Sequence, residues 1–324
     1  MEQAIRKIQA RGEGISAPSA FIDGRNIVVK GRWLKTAQIK SEEYTEYEPI
    51  EDPRCFVAQL KRAPLRCDMF SFGQSIHELK PKFPNYHIEW DNFAAVSLAS
   101  YEDWWKSLSQ ESRRNVRAAE KRGVTVSIAP FDDRLIRGIK EIYDESPVRQ
   151  GYRNRHYKED LETVRQKNST YLGRNDFLAA RVGSELIGFA QVIYVNETAR
   201  IMQILCKTAH FDKRPANALI AKVVELACQR GLTHVVYCKY TYGKKTNSPL
   251  TEFKRRMGFK KLCFPRYYIP LTARGEIALK LRLHLGLKNL VPAGFLMFML
   301  SLRANYYEAK FGRCLALPLD GVRK

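Results

Sequence analysis

The sequence predicts an α+β protein in which a mixed sheet is flanked by helices. Three consecutive strand-like segments joined by tight turns indicate an antiparallel meander over residues 176–207. Amphipathic helices precede the meander, and a helix, a strand, a second helix and a final strand follow it. This order predicts a main domain over 96–272, after a small β-containing module over 1–95 and before a basic helical tail over 273–324.

Short β-rich segments separated by prolines predict the N-terminal module. Turns within residues 21–100 are marked by Pro49, Pro53, Pro64, Pro81 and Pro84. Between these turns we expect three strand-like pieces, FIDGRNIVVKGRWLK, RCFVAQLK and YHIEWDNFAAVSL.

Two helices and a strand are predicted between this module and the meander. Ser100 is a suitable N-cap and Gly123 a suitable stop, which predicts one long helix from about 101 to 121. The segment VTVSIAPF is expected to be a strand because β-branched residues alternate along it. Apolar residues at helical spacing then predict a second helix from about 132 to 145.

The meander and the elements after it have clear boundaries. Tight turns are expected at Gly183-Ser184 and Asn196-Glu197, and an apolar-faced helix with an early proline, Pro215, is expected to end at Gly231. The meander strands are predicted as DFLAARV, ELIGFAQVIYV and ARIMQILCK. The final strand, helix and strand are predicted as THVVYCKYTY, NSPLTEFKRRMGF and KKLCFPRYYIPL.

Positive charge is concentrated near the C-terminus. The net charge is +21, of which residues 1–199 contribute +3 and residues 200–324 contribute +18. Such a surface attracts polyanions, and the charge alone leaves nucleic acid, acidic lipid and a phosphorylated cofactor open.

Cysteine spacing and hydropathy limit the other classes. The seven cysteines show no C-x-x-C pair, which argues against a zinc site and a disulfide framework and favours a reducing cytoplasm. The N-terminus lacks the pattern of a secretory signal. The apolar run VPAGFLMFMLSL at 291–302 is shorter than the ~18–20 residues that a spanning helix needs, so a docked or interfacial helix stays open.

The element order and several phrases resemble known acyltransferases. The order over 131–271, together with GSELIGFAQV and EFKRRMGF, resembles the GNAT acyltransferase fold. The upstream segment WWKSLSQESRRNVRAAEKRGVTV, with the pair Phe253 and Lys254, resembles the FemAB-like family of aminoacyl and peptidyl transferases. Together these resemblances cover residues 95–270.

The GNAT resemblance implies a donor site where two central strands separate and the next helix begins. Acyl-CoA, with acetyl-CoA expected, is the implied donor, and no metal is implied. The phrase usual in the family has glycines at the helix start, but this chain has Pro215, which lacks an amide donor, and bulkier residues. Aminoacyl-tRNA, as in the Fem resemblance, is therefore the competing donor, and a merely solvated helix start stays open. The expected donor-binding residues are Leu205, Lys207, Lys213, Arg214, Ala216, Asn217 and Ala218.

Acyl transfer to an amine needs a proton acceptor, positive charge near the developing oxyanion and a proton for the leaving group. Glu145 is the candidate proton acceptor, with a surface acid at a helix end as the alternative. Tyr240 and Tyr242 could protonate the leaving group or orient the carbonyl, unless they are structural. Lys254 stands where many GNAT enzymes have a tyrosine, and the Fem resemblance places it near the donor, where it would neutralise phosphate or oxyanion charge.

The loop SPVRQGYRNRHY combines cations with aromatic residues, a composition suited to an anionic substrate group, although a solvated loop stays open. Its candidate substrate-binding residues are Arg149, Gln150, Arg153 and His156.

The sequence predicts an N-acyltransferase that passes an acyl or aminoacyl group to a small-molecule or peptide amine, without a covalent enzyme intermediate. One alternative is a decayed GNAT-fold module that binds nucleic acid or anionic membrane through the +18 portion. Another is a peripheral membrane enzyme that acts on a lipid-linked precursor and contacts the bilayer through residues 288–310. The expected location is the cytoplasm, with or without membrane association.

Overall fold

The computed structural model describes residues 4–10, 13–44, 50–149, 152–241, 248–286 and 293–311. The chain forms two compact units, each built from separated stretches of sequence. The first unit comprises Met1–Phe93, Thr241–Lys244 and Lys261–Pro292, and the second comprises Ala94–Tyr240, Lys245–Lys260 and Ala293–Lys324. The three-part division at 95/96 and 272/273 stays a prediction.

The strands carry the meander and the β-rich N-terminal region that were expected. They are β1 (Ala4–Ala10), β2 (Glu13–Ile22), β3 (Arg25–Lys30), β4 (Thr36–Ile39), β5 (Met69–Gly73), β6 (His87–Ser97), β7 (Val124–Ala129), β8 (Val148–Arg149), β9 (Tyr152–Arg153), β10 (Asn175–Val182), β11 (Glu185–Val195), β12 (Thr198–Cys206), β13 (His234–Val236) and β14 (Lys260–Pro270).

The helices are mostly short and capped by side chains. They are α1 (Pro53–Arg62), α2 (Tyr101–Ser107), α3 (Gln110–Lys121), α4 (Asp133–Asp144), α5 (Leu161–Asn168), α6 (Pro215–Gln229), α7 (Pro249–Arg256), α8 (Ala273–Lys280) and α9 (Ala293–Phe311). Short 3₁₀ helices cover Glu42–Tyr44, Leu172–Arg174, Thr208–Lys213 and Leu283–Leu285. Among the described helices, none is long and apolar enough to cross a bilayer.

The first unit is a sheet with the strand order β1-β2-β3-β4-β5-β14-β6, to which β6 contributes residues 87–93, and β4 and β5 run parallel in it. Its core is aromatic: Phe70 stacks between Phe56 and Phe72, and Phe72 contacts Tyr267 at a centroid distance of 5.1 Å. Stacked and tilted ring pairs at these distances stabilise the core beyond what the burial of their apolar area contributes. Helix α1 therefore adheres to this sheet through Phe56.

The expectation that RCFVAQLK is a strand is wrong, because these residues lie in α1. Asp52 caps the helix by accepting hydrogen bonds from the amides of Arg54 and Cys55, and Pro53 occupies the first turn, where its missing N–H costs nothing. Phe56 and Leu60 are buried four residues apart, which is helical spacing. The proline that we interpreted as a turn marker is a helix start.

The second unit has the strand order β6-β13-β12-β11-β10-β7, to which β6 contributes residues 94–97. The predicted meander is confirmed, with Gly183 (φ 58°) and Asn196 (φ 48°) in its two turns. Helices α3 and α6 cover one face of the sheet, and α4 and α5 cover the other. The predicted fold class, a mixed sheet flanked by helices, is confirmed.

The predicted long helix over 101–121 is two helices, α2 and α3. Leu108 and Ser109 adopt extended backbone angles between them, and the Ser109 side chain accepts a hydrogen bond from the Ser112 amide as a new N-cap. The break lets Trp104 and Leu108 both enter the core. The sequence signal for the second helix was Ser109, a favourable N-cap residue. The apolar residues on both sides of Ser109 also fit one continuous helix, so this signal does not by itself predict a break.

Candidate active-site cleft

The parallel strands β12 and β13 separate after three paired positions. Pairing begins at Thr198 and ends where Arg200 faces Val236, yet β12 continues to Cys206. Beyond Val236 the chain follows β6, because the Tyr237 amide donates to the Ala94 carbonyl and the Ala94 amide donates to the Cys238 carbonyl. Within the described residues, the stretch of β12 after residue 200 pairs only with β11. A cleft therefore opens between β12 and residues 237–240.

A register shift in β12 lies at the start of this cleft. Gln203 faces Gln191, whereas Ile201 faces Val192, so one residue of β12, Met202, has no counterpart on β11. An extra residue of this kind bends a strand and increases its twist. The bulge accounts for the direction in which β12 leaves β13.

Lys254 lies next to the point where the strands separate. Lys254 is 0% exposed. Its Nζ donates to the Lys239 carbonyl at 2.7 Å and lies 4.4 Å from the centroid of the Tyr237 ring. Burial lowers the pKa of Lys254 to about 8, against a smaller raising effect of the Cys238 thiol. The Cys238 thiol contacts the carbonyl of Ile201 at 3.6 Å, and Ile201 is the first residue of β12 that does not pair with β13.

Helix α7, which carries Lys254, is fixed at both ends. Near its start, the Thr251 hydroxyl donates to the Tyr240 carbonyl at 3.3 Å. At its end, Trp104 Nε1 donates to the Met257 carbonyl and the Ser112 hydroxyl donates to the Arg256 carbonyl. The predicted stop is also present, since Gly258 has φ 83°. These contacts hold the buried ammonium in one place.

Tyr240 is the last described residue but one before a gap. It is half-buried and packs against the core on the α3 and α6 face. Its predicted part in proton transfer stays a prediction. Tyr242 lies outside the described residues.

The start of α6 has few amides to offer an anion. Arg214 is the N-cap in a left-handed conformation (φ 57°), Pro215 has no N–H, and the amides of Asn217 and Ala218 both donate to the Arg214 carbonyl. Lys213 and Arg214 bring positive charge to this end of the helix, where the helix dipole has the same sign. Lys213 lies 3.7 Å from Asp212. Their predicted role with Ala216 in donor binding stays a prediction.

The end of β12 carries the other predicted donor-binding residues. Leu205 is half-buried and packs under α4. Lys207 Nζ lies 2.8 Å from Glu185 and 3.2 Å from Glu141, and hydrogen bonds to both carboxylates raise the pKa of Lys207 although burial opposes them. Lys207 is thus neutralised by two acids, which reduces what it can offer a phosphate.

Glu145 and Arg149 form a clamp over the end of β12. The Glu145 carboxylate accepts hydrogen bonds from the amides of Thr208 and Ala209 at 2.8 and 3.0 Å and from Arg149 at 3.0 Å. Arg149 also donates to the carbonyls of Ile142 and Cys206, and burial lowers the pKa of its guanidinium. The carboxylate thus occupies amides that an incoming phosphate could otherwise use.

The other predicted substrate-binding residues are Gln150, Arg153 and His156. His156 stacks on Tyr143 at 4.3 Å, and burial lowers its pKa although Glu159 Oε2 lies 3.1 Å away. Arg153 is exposed on β9. Gln150 lies outside the described residues. Their predicted part in substrate binding stays a prediction.

Sequence reasoning missed a polar network beneath α4. The buried Tyr143 hydroxyl lies 2.8 and 3.0 Å from the amide atoms of Gln203 and 3.4 Å from Asn168, whose carbonyl accepts from buried Gln191. Burial raises the pKa of Tyr143. Gln191 inside an otherwise apolar strand was the available signal, because a buried amide requires partners.

Solved structures share this architecture. FemX is 11% identical, over 86% of this chain and 90% of that chain, with a TM-score of 0.54. This chain has the fold of FemX. L-PGS from Bacillus licheniformis is 13% identical over 82% of this chain and 88% of that chain, at a TM-score of 0.52. The third structure is the C-terminal domain of a protein from Agrobacterium fabrum that is described as a lysylphosphatidylglycerol synthetase. It is 12% identical over 82% of this chain and 87% of that chain, with a TM-score of 0.51. The predicted resemblance to a GNAT-fold, FemAB-like protein is therefore confirmed for the fold.

No protein-family model matches the sequence, and no curated protein matches it at a significant level.

Proposed function

We propose that this protein is an N-acyltransferase that moves an acyl or aminoacyl group from a donor to an amine by direct attack. The observation that carries the proposal is the separation of the parallel strands β12 and β13 beside the buried ammonium of Lys254. The shared fold with FemX supports it, and so does the description of the Agrobacterium fabrum protein as a lysylphosphatidylglycerol synthetase.

The donor is proposed to enter the cleft along β12. Between Ile201 and Cys206 this strand lacks a partner strand on the β13 side within the described residues. An extended donor arm that contains amides can pair with such an edge as an added strand would. The anionic part of the donor would then lie toward the start of α6, near Lys213 and Arg214.

Lys254 is proposed to stabilise charge in the transition state. The amine nitrogen forms a bond to the acyl carbon, the carbonyl oxygen becomes an oxyanion, and the bond to the leaving thiolate or alkoxide then breaks. A buried ammonium beside the cleft stabilises that oxyanion more than an exposed one, because water does not screen it. The proton that the amine loses passes to the leaving group, with Tyr240 and Glu145 as the proposed carriers.

The donor class separates two versions of this proposal. Acyl-CoA, with acetyl-CoA as the first choice, fits an extended arm and a phosphate near α6. Aminoacyl-tRNA is the alternative, favoured by the weak amide set at Pro215 and by the +18 charge of residues 200–324. The acceptor is a small-molecule or peptide amine in either version.

The test is a donor screen with product detection by mass spectrometry. The purified full chain is incubated with acetyl-CoA, longer acyl-CoAs or aminoacyl-tRNA and a panel of amines, beside Lys254→Met and the exposed neighbour Arg255→Met as a control. We expect one donor class to yield an acylated amine that Lys254→Met does not produce and Arg255→Met does. Absence of an acylated amine from the wild-type chain with every donor contradicts the proposal.

A second candidate function rests on α9 and is an attachment to an anionic membrane. Exposed apolar side chains recur along this helix at helical spacing, and basic residues follow them. Such a helix can lie in the interface of a bilayer, where a lipid-linked amine would be the acceptor. The exposed residues are Phe295, Phe298, Met299, Leu302 and Tyr306.

A further inference from the structure

Two histidines and a glutamate meet in the first unit. His87 and Glu89 are two positions apart on β6, so their side chains project from the same face of the strand. His284 reaches them from the 3₁₀ helix Leu283–Leu285, which follows α8. Local sequence pattern does not reveal this group, because His284 is far from His87 and Glu89 along the chain.

The spacing of the three side chains suits a metal ion. One ligand atom from each of them lies within 4.8 Å of the other two. Glu89 Oε1 is 3.0 Å from His87 Nε2 and 3.5 Å from His284 Nε2. Two ligands around tetrahedral zinc at bonds of ~2.0–2.1 Å are roughly 3.3 Å apart. Small side-chain rotations therefore suffice to place one ion between the three atoms.

His284 supplies a second and independent observation. Its side chain is 0% exposed, and neither of its ring nitrogens has a hydrogen-bond partner in good geometry, since Glu89 Oε1 lies 3.5 Å from Nε2. It is enclosed by the rings of His87 at 5.2 Å and Tyr268 at 4.7 Å. A buried imidazole with only long polar contacts is costly, and metal ligation is one way in which proteins satisfy it. The side chain is aimed at the carboxylate of Glu89, where the ion would lie.

We propose that His87, Glu89 and His284 bind a divalent transition-metal ion, zinc as the first choice, with water in the remaining position. Two neutral imidazoles and one carboxylate are a ligand set that zinc accepts in proteins. Arg282 lies 3.6 Å from Glu89, but its side chain is 67% exposed and can turn toward solvent when the ion adds positive charge.

The ion would fasten the segment after α8 to the sheet of the first unit. It would join β6 to the turn at residues 283–285, which already contacts β6 through the His87 ring and the Glu89 carboxylate. An ion that binds the folded chain raises its stability in proportion to RT ln(1 + [L]/Kd). The argument against zinc from cysteine spacing does not apply, because this ligand set contains no cysteine.

The test is zinc binding to the full chain, freed of any affinity tag and stripped with a chelator. Titration calorimetry with zinc chloride is expected to show one equivalent bound by the wild type. Cobalt(II) is expected to give the visible absorption of a four-coordinate site. The variants His87→Ala and Glu89→Gln are compared with His77→Ala, an exposed histidine of the same unit that is outside the cluster.

The proposal expects His87→Ala and Glu89→Gln to weaken zinc binding at least tenfold and to abolish the zinc-dependent rise of the melting temperature, while His77→Ala keeps both. Circular dichroism without metal checks that the variants are folded, which is the reason for leaving buried His284 unchanged. A wild-type chain that binds no zinc, or variants that bind it as the wild type does, overturns the proposal.

Discussion

At the scale of single residues, Lys254 is a buried cation of the second unit. Its ammonium donates to the Lys239 carbonyl and lies against the Tyr237 ring. Burial of a charge in this way is unfavourable unless a partner compensates, so its pKa falls to about 8. A site that retains such a group uses the charge, and the proposed use is stabilisation of an oxyanion.

Replacement of Lys254 by methionine keeps the volume and removes the charge. We expect Lys254→Met to reduce the rate of acyl transfer by roughly 10²–10³, since this is the usual cost of losing one oxyanion donor. The measurement is single-turnover kinetics with the donor found in the screen. Arg255→Met, on the exposed side of α7, serves as the matched control. A decrease of less than threefold in Lys254→Met contradicts the proposed role.

The depressed pKa of Lys254 predicts a dependence of stability on pH. Between about pH 8 and pH 10 the unfolded chain binds a proton at this lysine that the folded chain has lost, so the free energy of unfolding rises with pH. The slope is at most ~1.4 kcal/mol per pH unit. Urea unfolding at pH 7, 8, 9 and 10 measures it as the difference between wild type and Lys254→Met. Parallel curves for the two proteins argue against the shift.

Glu145 differs from Lys254 because its partners are already in place. Removal of its charge leaves the amides of Thr208 and Ala209 without a full acceptor pair. We expect Glu145→Gln to lower the free energy of unfolding by about 1–3 kcal/mol. Chemical denaturation checks this, with the exposed Glu141→Gln as the control. Unchanged stability together with lost activity would instead favour the predicted proton acceptor.

At the scale of elements, the start of α6 combines strain with charge. Arg214 holds a left-handed conformation (φ 57°) that glycine adopts at no steric cost. The GNAT resemblance of the sequence implied glycines at this helix start. The backbone of this chain therefore keeps a conformation typical of glycine while the side chain supplies a cation.

Substitution of Arg214 by glycine separates the two properties. We expect Arg214→Gly to leave the melting temperature unchanged or to raise it, because the backbone strain is relieved. The corresponding gain in the free energy of unfolding is up to ~1 kcal/mol. The same change is expected to weaken donor binding severalfold if the donor is anionic. Isothermal titration with the donor and thermal melts measure both, and Lys222→Ala on the same helix is the control. Unaltered affinity would remove Arg214 from the proposed donor site.

At the scale of the whole chain, net charge and exposed apolar surface occur together in the C-terminal portion. Residues 200–324 carry +18, and α9 exposes an apolar stripe to solvent. A single small cofactor cannot neutralise that charge. A large polyanion with an apolar interior, such as an anionic bilayer, would satisfy the charge and the stripe at once.

Vesicle co-sedimentation tests the membrane candidate. We expect the full chain to bind vesicles that contain phosphatidylglycerol and to bind less as salt rises, because the attraction is partly electrostatic. Phe298→Asp is expected to reduce binding roughly tenfold through lost apolar burial. Asn305→Asp, on the same helix, makes the same change of charge and is expected to reduce it less. Equal effects of the two variants would indicate that charge alone drives vesicle binding. Binding of the full chain to RNA and not to vesicles would indicate the same.

Much of the fold was accessible from local pattern. The buried face of α4, with Leu135, Ile136, Ile139 and Ile142, follows directly from helical spacing, and the turns of the meander follow from Gly183 and Asn196. The predictions that were wrong also concerned local signals. Pro53 served as a helix start and Ser109 as a second cap, and both residue types also occur in turns, so their meaning depends on what the neighbouring side chains bury.

The sequence alone determined the order of the elements, the amphipathic faces of the helices and the concentration of charge, because each of these depends on neighbours within a few positions. Only the tertiary structure decided which polar groups meet. It brought Glu145 to the amides of Thr208 and Ala209 and His284 to Glu89, and it enclosed Lys254 beside the separated strands. These contacts join residues far apart in the chain, and their chemistry comes from burial, which pattern along a sequence does not specify.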